Sequence, residues 1–206
     1  MSILTSENRE SATGSFVPAV HRFTVEEYHR LAEAGCFVNS KRVELLDGWI
    51  VDMNPIGPPH SFVVYQADDV LSSLAPTGWA VFSQRPITLA TSEPEPDVVV
   101  ARGTPADYKR RHPGPADIGL VVEVADSSLA VDRTQKIPIY AAAMIPCYWI
   151  INLIDRQVEV HSQPQLSHSG ELPTYGQRRV IDESGSLALT LDGREVGSLR
   201  VVELFP

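Results

Sequence analysis

The stretch from Gly119 to Asn152 limits the possible folds more than any other part of the chain. It opens with Leu120-Val121-Val122-Glu123-Val124, an apolar run too rich in valine to favour a helix. A polar break follows, Ala125-Asp126-Ser127-Ser128-Leu129. Asp132 to Ala143 then reads as the approach to a helix and its first turns, ended by Pro146. Tyr148-Trp149-Ile150-Ile151 starts a second apolar strand. Strand, helix and strand with no hairpin turn predict a βαβ unit whose strands are parallel neighbours. A parallel strand is ordinarily apolar on both faces, so Glu123 has to be accounted for.

The rest of the chain supplies the frame. Met1 to Val20 is polar and without periodicity, which predicts a flexible arm over residues 1–20. Thr24 is placed to cap a helix running to about Ala34, with Glu26 and Glu27 in its first turn and Gly35 past its end. Arg42 to Val51 reads as a hairpin turning at Asp47-Gly48, with Glu44 and Leu46 on one face of its first strand. Pro55 to Pro59 reads as a loop. His60 to about Leu74 repeats Val63, Ala67, Val70 and Leu74 at helical spacing. Trp79 to Phe82 and Pro86 to Ala90 are expected as two antiparallel strands. Asp97 stands at the entrance of the short buried strand Val98-Val99-Val100. Arg102 to Asp117, with Lys109, Arg110 and Arg111, is expected to be a mobile loop. Beyond the βαβ unit, Val158-Glu159-Val160 is expected at a sheet edge, Ser162 to Gly176 as loop, and short strands to the end of the chain.

Size and charge narrow the function. A chain of 206 residues, 43% hydrophobic, accommodates one domain with a core or a domain with a small appendage. A net charge of −9 argues against binding nucleic acid by bulk attraction, so a polyanion would need a local basic patch or a bridging metal. Cys36 and Cys147 form no disulfide framework and fit buried thiols of a cytoplasmic protein. No signal peptide and no membrane-length apolar run is evident.

Three acids stand where apolar residues belong: Glu44, Asp97 and Glu123. Burying an isolated carboxylate is costly unless it is paired or given a metal. Asp97 and Glu123 on adjacent strands suit one hard cation such as Mg²⁺. Lys136 would then stabilise charge developing on a phosphate, or place the attacking water. Singly, each has an ordinary alternative: Glu44 a salt-bridge partner, Asp97 the first residue of a strand, Lys136 a solvated residue at a helix start. Pro138 suits a first helical turn, so Lys136 is expected at the helix entrance, and Asp132 and Lys136 need not share a face.

The set, in order, resembles the Uma-type restriction-endonuclease family, a branch of the PD-(D/E)xK nuclease superfamily. The matching pieces are Arg42 to Gly48, Pro59-His60, Gln84 to Ile87, Pro94 to Asp97, Val121 to Val124, Asp132-Arg133 with Lys136 and Tyr140, and Tyr148-Trp149. The resemblance runs from about Phe23 to Phe205. It implies an α/β fold with a restriction-endonuclease-like core, a mixed β-sheet flanked by helices with extra β-strands at the C-terminus, as one domain over residues 21–206. It also implies catalytic Glu44, Asp97, Glu123 and Lys136, with Asp97 and Glu123 holding Mg²⁺ (or Mn²⁺). The superfamily form is Glu-x-Lys, but position 125 is alanine, and the resemblance moves the lysine to Lys136 on the following helix. His60 and Gln84 are candidates for substrate binding; a capping or packing histidine and ordinary strand polarity are the simpler roles. Tyr140 and Trp149 are expected in the core.

Two functions follow. The first is a metal-dependent endonuclease hydrolysing phosphodiester bonds of nucleic acid, DNA above all, working as a homodimer that shapes a groove. The second is a catalytically silent nuclease fold kept as an interaction or assembly module. Retention of all four site residues favours the first and the acidic composition the second. Hydrolysis of a phosphorylated small molecule is a weaker third.

Overall fold

Thr24 starts the first helix as a reciprocal cap. Its backbone N–H donates to Glu27 Oε2 at 2.9 Å, and the Glu27 N–H donates to Thr24 Oγ1 at 3.2 Å. The structure, a computed structural model, describes residues 20–38, 42–166 and 170–206. The expected arm lies outside the described residues except for Val20. Helix α1 spans Val25–Glu33. Strands β1 (Val43–Leu46) and β2 (Trp49–Asp52) form the expected hairpin. Asp47 and Gly48 have φ of 46° and 79°, as the turn best matched to strand twist requires. Helix α2 spans Pro58–Leu74 and starts before His60, because Pro58 and Pro59 occupy first-turn positions that need no N–H. Its Val63, Ala67 and Leu71 are buried.

Strands β3 (Trp79–Ser83), β4 (Val98–Arg102) and β5 (Ile118–Ala125) come next. A helical crossover follows: α3 (Leu129–Val131), a π turn (Asp132–Lys136) and α4 (Ile137–Ala142). Strands β6 (Cys147–Asn152), β7 (Gln157–Gln165) and β8 (Thr174–Asp182) complete a mixed sheet in the order β3-β4-β5-β6-β7-β8. Within it β5 and β6 are parallel and every other pair antiparallel. The C-terminal strands β9 (Ser186–Leu191) and β10 (Arg194–Arg200) form a separate two-stranded sheet. Leu120, Val122 and Val124 of β5 pack with α2 and the C-terminal strands, whereas Val121 and Ala125 pack with Tyr140 and Ala141 of α4. Strand alternation puts Glu123 on the α4 side.

The structure corrects several expectations. Pro86 to Ala90 is not a strand, and β4 is the antiparallel partner of β3. Ile87 and Leu89 alternate into the core, but their N–H groups donate within the same loop, to the carbonyls of Pro94 and Ser92. The Val158-Glu159-Val160 segment is not at an edge: β7 pairs with β6 and β8, and β8 is the edge. The two ends of the Ser162 to Gly176 stretch belong to strands of that β7–β8 hairpin. Arg102 to Asp117 holds two short 3₁₀ turns, Pro105–Tyr108 and Pro115–Asp117. Cys36 is exposed, against the expectation of a buried thiol. Among the described residues, no helix is long and apolar enough to cross a membrane.

Candidate active site

The β1 hairpin is stitched to the segment Glu93 to Glu95 that leads into β4. Leu45 and Glu93 exchange backbone hydrogen bonds at 3.3 and 2.8 Å, and the Glu95 N–H donates to Glu44 Oε2 at 3.1 Å. Glu44 is thereby brought from a separate sheet to the end of β4 and β5. Asp97 lies just before β4, past the last β4–β5 pair, Val98 with Val122. Its Oδ2 accepts the Val124 N–H at 2.8 Å, doing for β5 what a strand carbonyl would otherwise do.

Glu123 projects from β5 toward the crossover. Its Oε1 accepts from Lys136 Nζ at 2.9 Å and from the Tyr140 hydroxyl at 2.7 Å. The same ammonium is 3.7 Å from Glu44 Oε1 and 3.8 Å from Asp132 Oδ1. Asp132 Oδ2 accepts from Ser128 Oγ at 2.7 Å. His60, in the first turn of α2, has Nε2 3.2 Å from Asp97 Oδ2. Glu44, His60, Glu95, Asp97, Glu123, Asp126, Asp132 and Lys136 line one cleft of about 180 Å³.

Lys136 reaches Glu123 because of the local helix geometry. Pro138 stands in the first turn of α4 and has no N–H to give. The Ile137 N–H bonds to the Asp132 carbonyl, a π-type step in place of the α-type one. Asp132, Lys136 and Tyr140 follow one another at intervals of four, and all turn to the cleft side. Asp132 and Lys136 thus do approach one another.

Positive charge is short in this cleft. Burial, reinforced by Asp132, Asp97 and Glu44 and opposed by Lys136, pushes the Glu123 carboxyl up to about 8. Burial likewise pushes Asp132 up to about 6, against Lys136 and the Ser128 hydrogen bond. Burial would lower the Lys136 ammonium, but Glu123, Glu44 and Asp132 outweigh it and hold it above its ordinary value. His60 is also raised: burial opposes protonation, and the bond and charge of Asp97 prevail. A hard divalent cation suits an oxygen-donor set with such an excess of acid. Among the described residues, no three His, Cys, Asp or Glu side chains are grouped closely enough to enclose a metal. Asp97 and Glu123 offer carboxylate oxygens, the donor type that hard divalent cations take.

Of the expected residues, the structure gathers Glu44, His60, Asp97, Glu123 and Lys136. Gln84 does not line the cleft; it sits past β3 at φ 50°, its backbone N–H donating to the Asp97 carbonyl at 3.0 Å. Lys109, Arg110 and Arg111 do not line it either, and Arg111 is bound to Asp117. Tyr140 is buried as expected, but its hydroxyl also joins the site, a role not read from the sequence. The interval of four linking Asp132, Lys136 and Tyr140 was the available signal.

The sequence matches a family model described as "Uma2: Putative restriction endonuclease" over residues 25–192. The fold resembles a crystal structure from Anabaena variabilis ATCC 29413, described as "a putative nuclease belonging to DUF820". That similarity has a TM-score of 0.62 at 14% identity and covers 89% of this chain and 97% of the other. A search of curated proteins found none that matches.

Proposed function

The chain belongs to the Uma2 restriction endonuclease family, and from that membership we propose that it is a metal-dependent endonuclease hydrolysing phosphodiester bonds, above all in DNA. The observation that carries this reading is the meeting of Glu44, Asp97, Glu123 and Lys136, from four separate elements, in one acid-rich cleft. Asp97 and Glu123 would hold Mg²⁺ (or Mn²⁺). The bound ion would supply Lewis acidity toward a phosphoryl oxygen and make water a better nucleophile.

The chain's own groups do the rest. Lys136, kept charged by its acidic neighbours, counters the negative charge that builds on the phosphate. Tyr140 and Lys136 both bond Glu123 Oε1 and so fix that carboxylate's orientation. Glu44 closes the cleft from the hairpin and holds the lysine from its other side. His60 is the substrate-side group, balancing Asp97, whereas Gln84 stands outside the cleft and holds the Asp97 backbone through its own N–H.

At −9 the protein needs help to receive a polyanion. We assign that help to the bound metal and to a homodimer of one nuclease-like domain, residues 21–206, in the cytoplasm. The same net charge, with the basic run away from the cleft, favours the silent interaction module as the second reading.

Calorimetric titration of Mn²⁺ or Mg²⁺ into wild type and Asp97→Ala, followed by cleavage assays on plasmid and single-stranded DNA, decides between the two. Binding lost in Asp97→Ala together with metal-dependent cleavage supports the nuclease. A folded wild type that binds no metal, with or without DNA, excludes it and leaves the interaction module.

A further inference from the structure

Glu159 lies outside the cleft, on β7, and is 0% exposed. Its Oε1 accepts from Arg133 Nε at 2.9 Å and also from Arg133 Nη2. Its Oε2 accepts from Arg178 Nε at 3.1 Å, with Nη2 of the same guanidinium in ion-pair contact at 3.1 Å. His161, stacked on Tyr148, brings Nε2 within 3.5 Å of the same oxygen. Burial alone would raise this carboxyl, but the two guanidiniums hold it below its ordinary value, so it is a buried anion with its acceptor sites filled.

The two arginines stand on different elements. Arg178 belongs to the edge strand β8, opposite His161. Arg133 belongs to the π turn, next to Asp132 and in the same turn as Lys136. That turn has little support of its own, being short, π-bonded and followed by a proline. Side chains therefore decide where it sits. On the cleft side the ties are Lys136 to Glu123 and Asp132 to Ser128. Away from the cleft, the charged tie is Arg133 to Glu159, which sits on a strand paired on both sides, beside a longer bond of 3.4 Å from the Tyr148 hydroxyl to the Asp132 carbonyl.

We infer that Glu159 is a positioning residue: acting through Arg133, it seats the π turn on the sheet and so sets where Lys136 and Asp132 stand in the cleft. The catalytic consequence rests on the nuclease reading above; the seating does not.

Comparison of Arg133→Ala with Arg178→Ala tests this, because each leaves Glu159 one guanidinium and only the first cuts the tie to the π turn. Amide hydrogen exchange across residues 129–142 is expected to quicken in Arg133→Ala and in Glu159→Gln and to stay at the wild-type rate in Arg178→Ala. With Mg²⁺ and plasmid DNA, Arg133→Ala is expected to lose about 10²-fold in kcat, the scale of a small misplacement of a catalytic group. Its KM should stay within about 2-fold, because substrate binding is not touched. Arg178→Ala should keep wild-type kcat even where its melting temperature falls as far. Equal exchange and equal kcat in the two arginine variants would overturn the inference, whether or not Glu159→Gln folds. Exchange that follows the expected pattern in a protein that cleaves nothing upholds the anchor and removes the nuclease reading.

Discussion

The Lys136 ammonium meets Glu123 Oε1 at 2.9 Å from the π turn, while Ala125, on the strand that carries Glu123, leaves the usual lysine position empty of charge. Acid and base of the site thus come from different elements, and the packing of the crossover on the sheet is what joins them.

Lys136→Met keeps the unbranched stem, one atom shorter, and removes the charge from among Glu123, Glu44 and Asp132. Breaking a buried pair from one side costs about 3–5 kcal/mol, readable as a lower denaturant midpoint. Cleavage should fall about 10²–10³-fold, as when a charge-stabilising group is deleted. Mn²⁺ affinity, measured by calorimetry, should hold or increase because a competing cation is gone. Loss of metal binding in a folded Lys136→Met would show that the lysine shapes the site and does not merely charge it.

Tyr140→Phe removes one donor to Glu123 Oε1 and leaves the ring packed against Tyr148, with ring centroids 4.9 Å apart. A hydrogen bond to an ionisable partner is worth about 1.5–3 kcal/mol. Urea unfolding should show a loss near the lower end, since Lys136 still holds the same oxygen. Unchanged stability and unchanged cleavage would confine Tyr140 to packing.

Stability without metal should fall as pH rises. Burial lifts Glu123 from its ordinary 4.5 to about 8 and Asp132 from 3.8 to about 6. The folded state therefore binds protons that the unfolded state has released, and linkage makes unfolding easier through that window. The contribution is complete below about pH 4 and gone above about pH 8. Saturating Mg²⁺ or Mn²⁺ takes the place of those protons, so it should stabilise more at pH 8 than at pH 6 and release protons on binding. Thermal unfolding at both pH values, with and without metal, gives the comparison; equal stabilisation at the two would contradict it.

Gly48→Ala should destabilise the hairpin that carries Glu44. Gly48 has φ of 79°, and an added Cβ would lie 2.7 Å from Arg22 Cβ. The backbone penalty alone is about 1 kcal/mol, and the contact adds to it. Denaturant titration reads the loss, and a neutral result would mean that the turn rearranges without strain.

Much of this architecture was legible because local signals agreed with the fold. Asp47-Gly48 fixed a hairpin, Thr24 with Glu27 fixed a helix start, and the carboxylate in Val122-Glu123-Val124 pointed to a candidate site on a buried parallel strand, where Glu123 does line a cleft. Misreadings came where alternation alone was informative. Ile87 and Leu89 alternate as a strand would, yet their N–H groups are used inside the loop. The Val158-Glu159-Val160 strand, expected at an edge, is interior, and the two arginines that neutralise its buried Glu159 come from other elements, the π turn and β8. The approach of Asp132 to Lys136 was hidden by Pro138, which was read as a limit on the helix and is accommodated by a π step.

The interval of four that joins Asp132, Lys136 and Tyr140 sets a limit on chain length. One residue removed between Asp132 and Lys136 would rotate them by about 100° relative to each other, and one removed after Lys136 would part it from Tyr140 at Glu123. Connections at a protein surface generally tolerate a residue more or less. The stretch from Ser128 to Tyr140 does not, because each end is tied at the cleft and the count between the ties sets how its side chains meet Glu123.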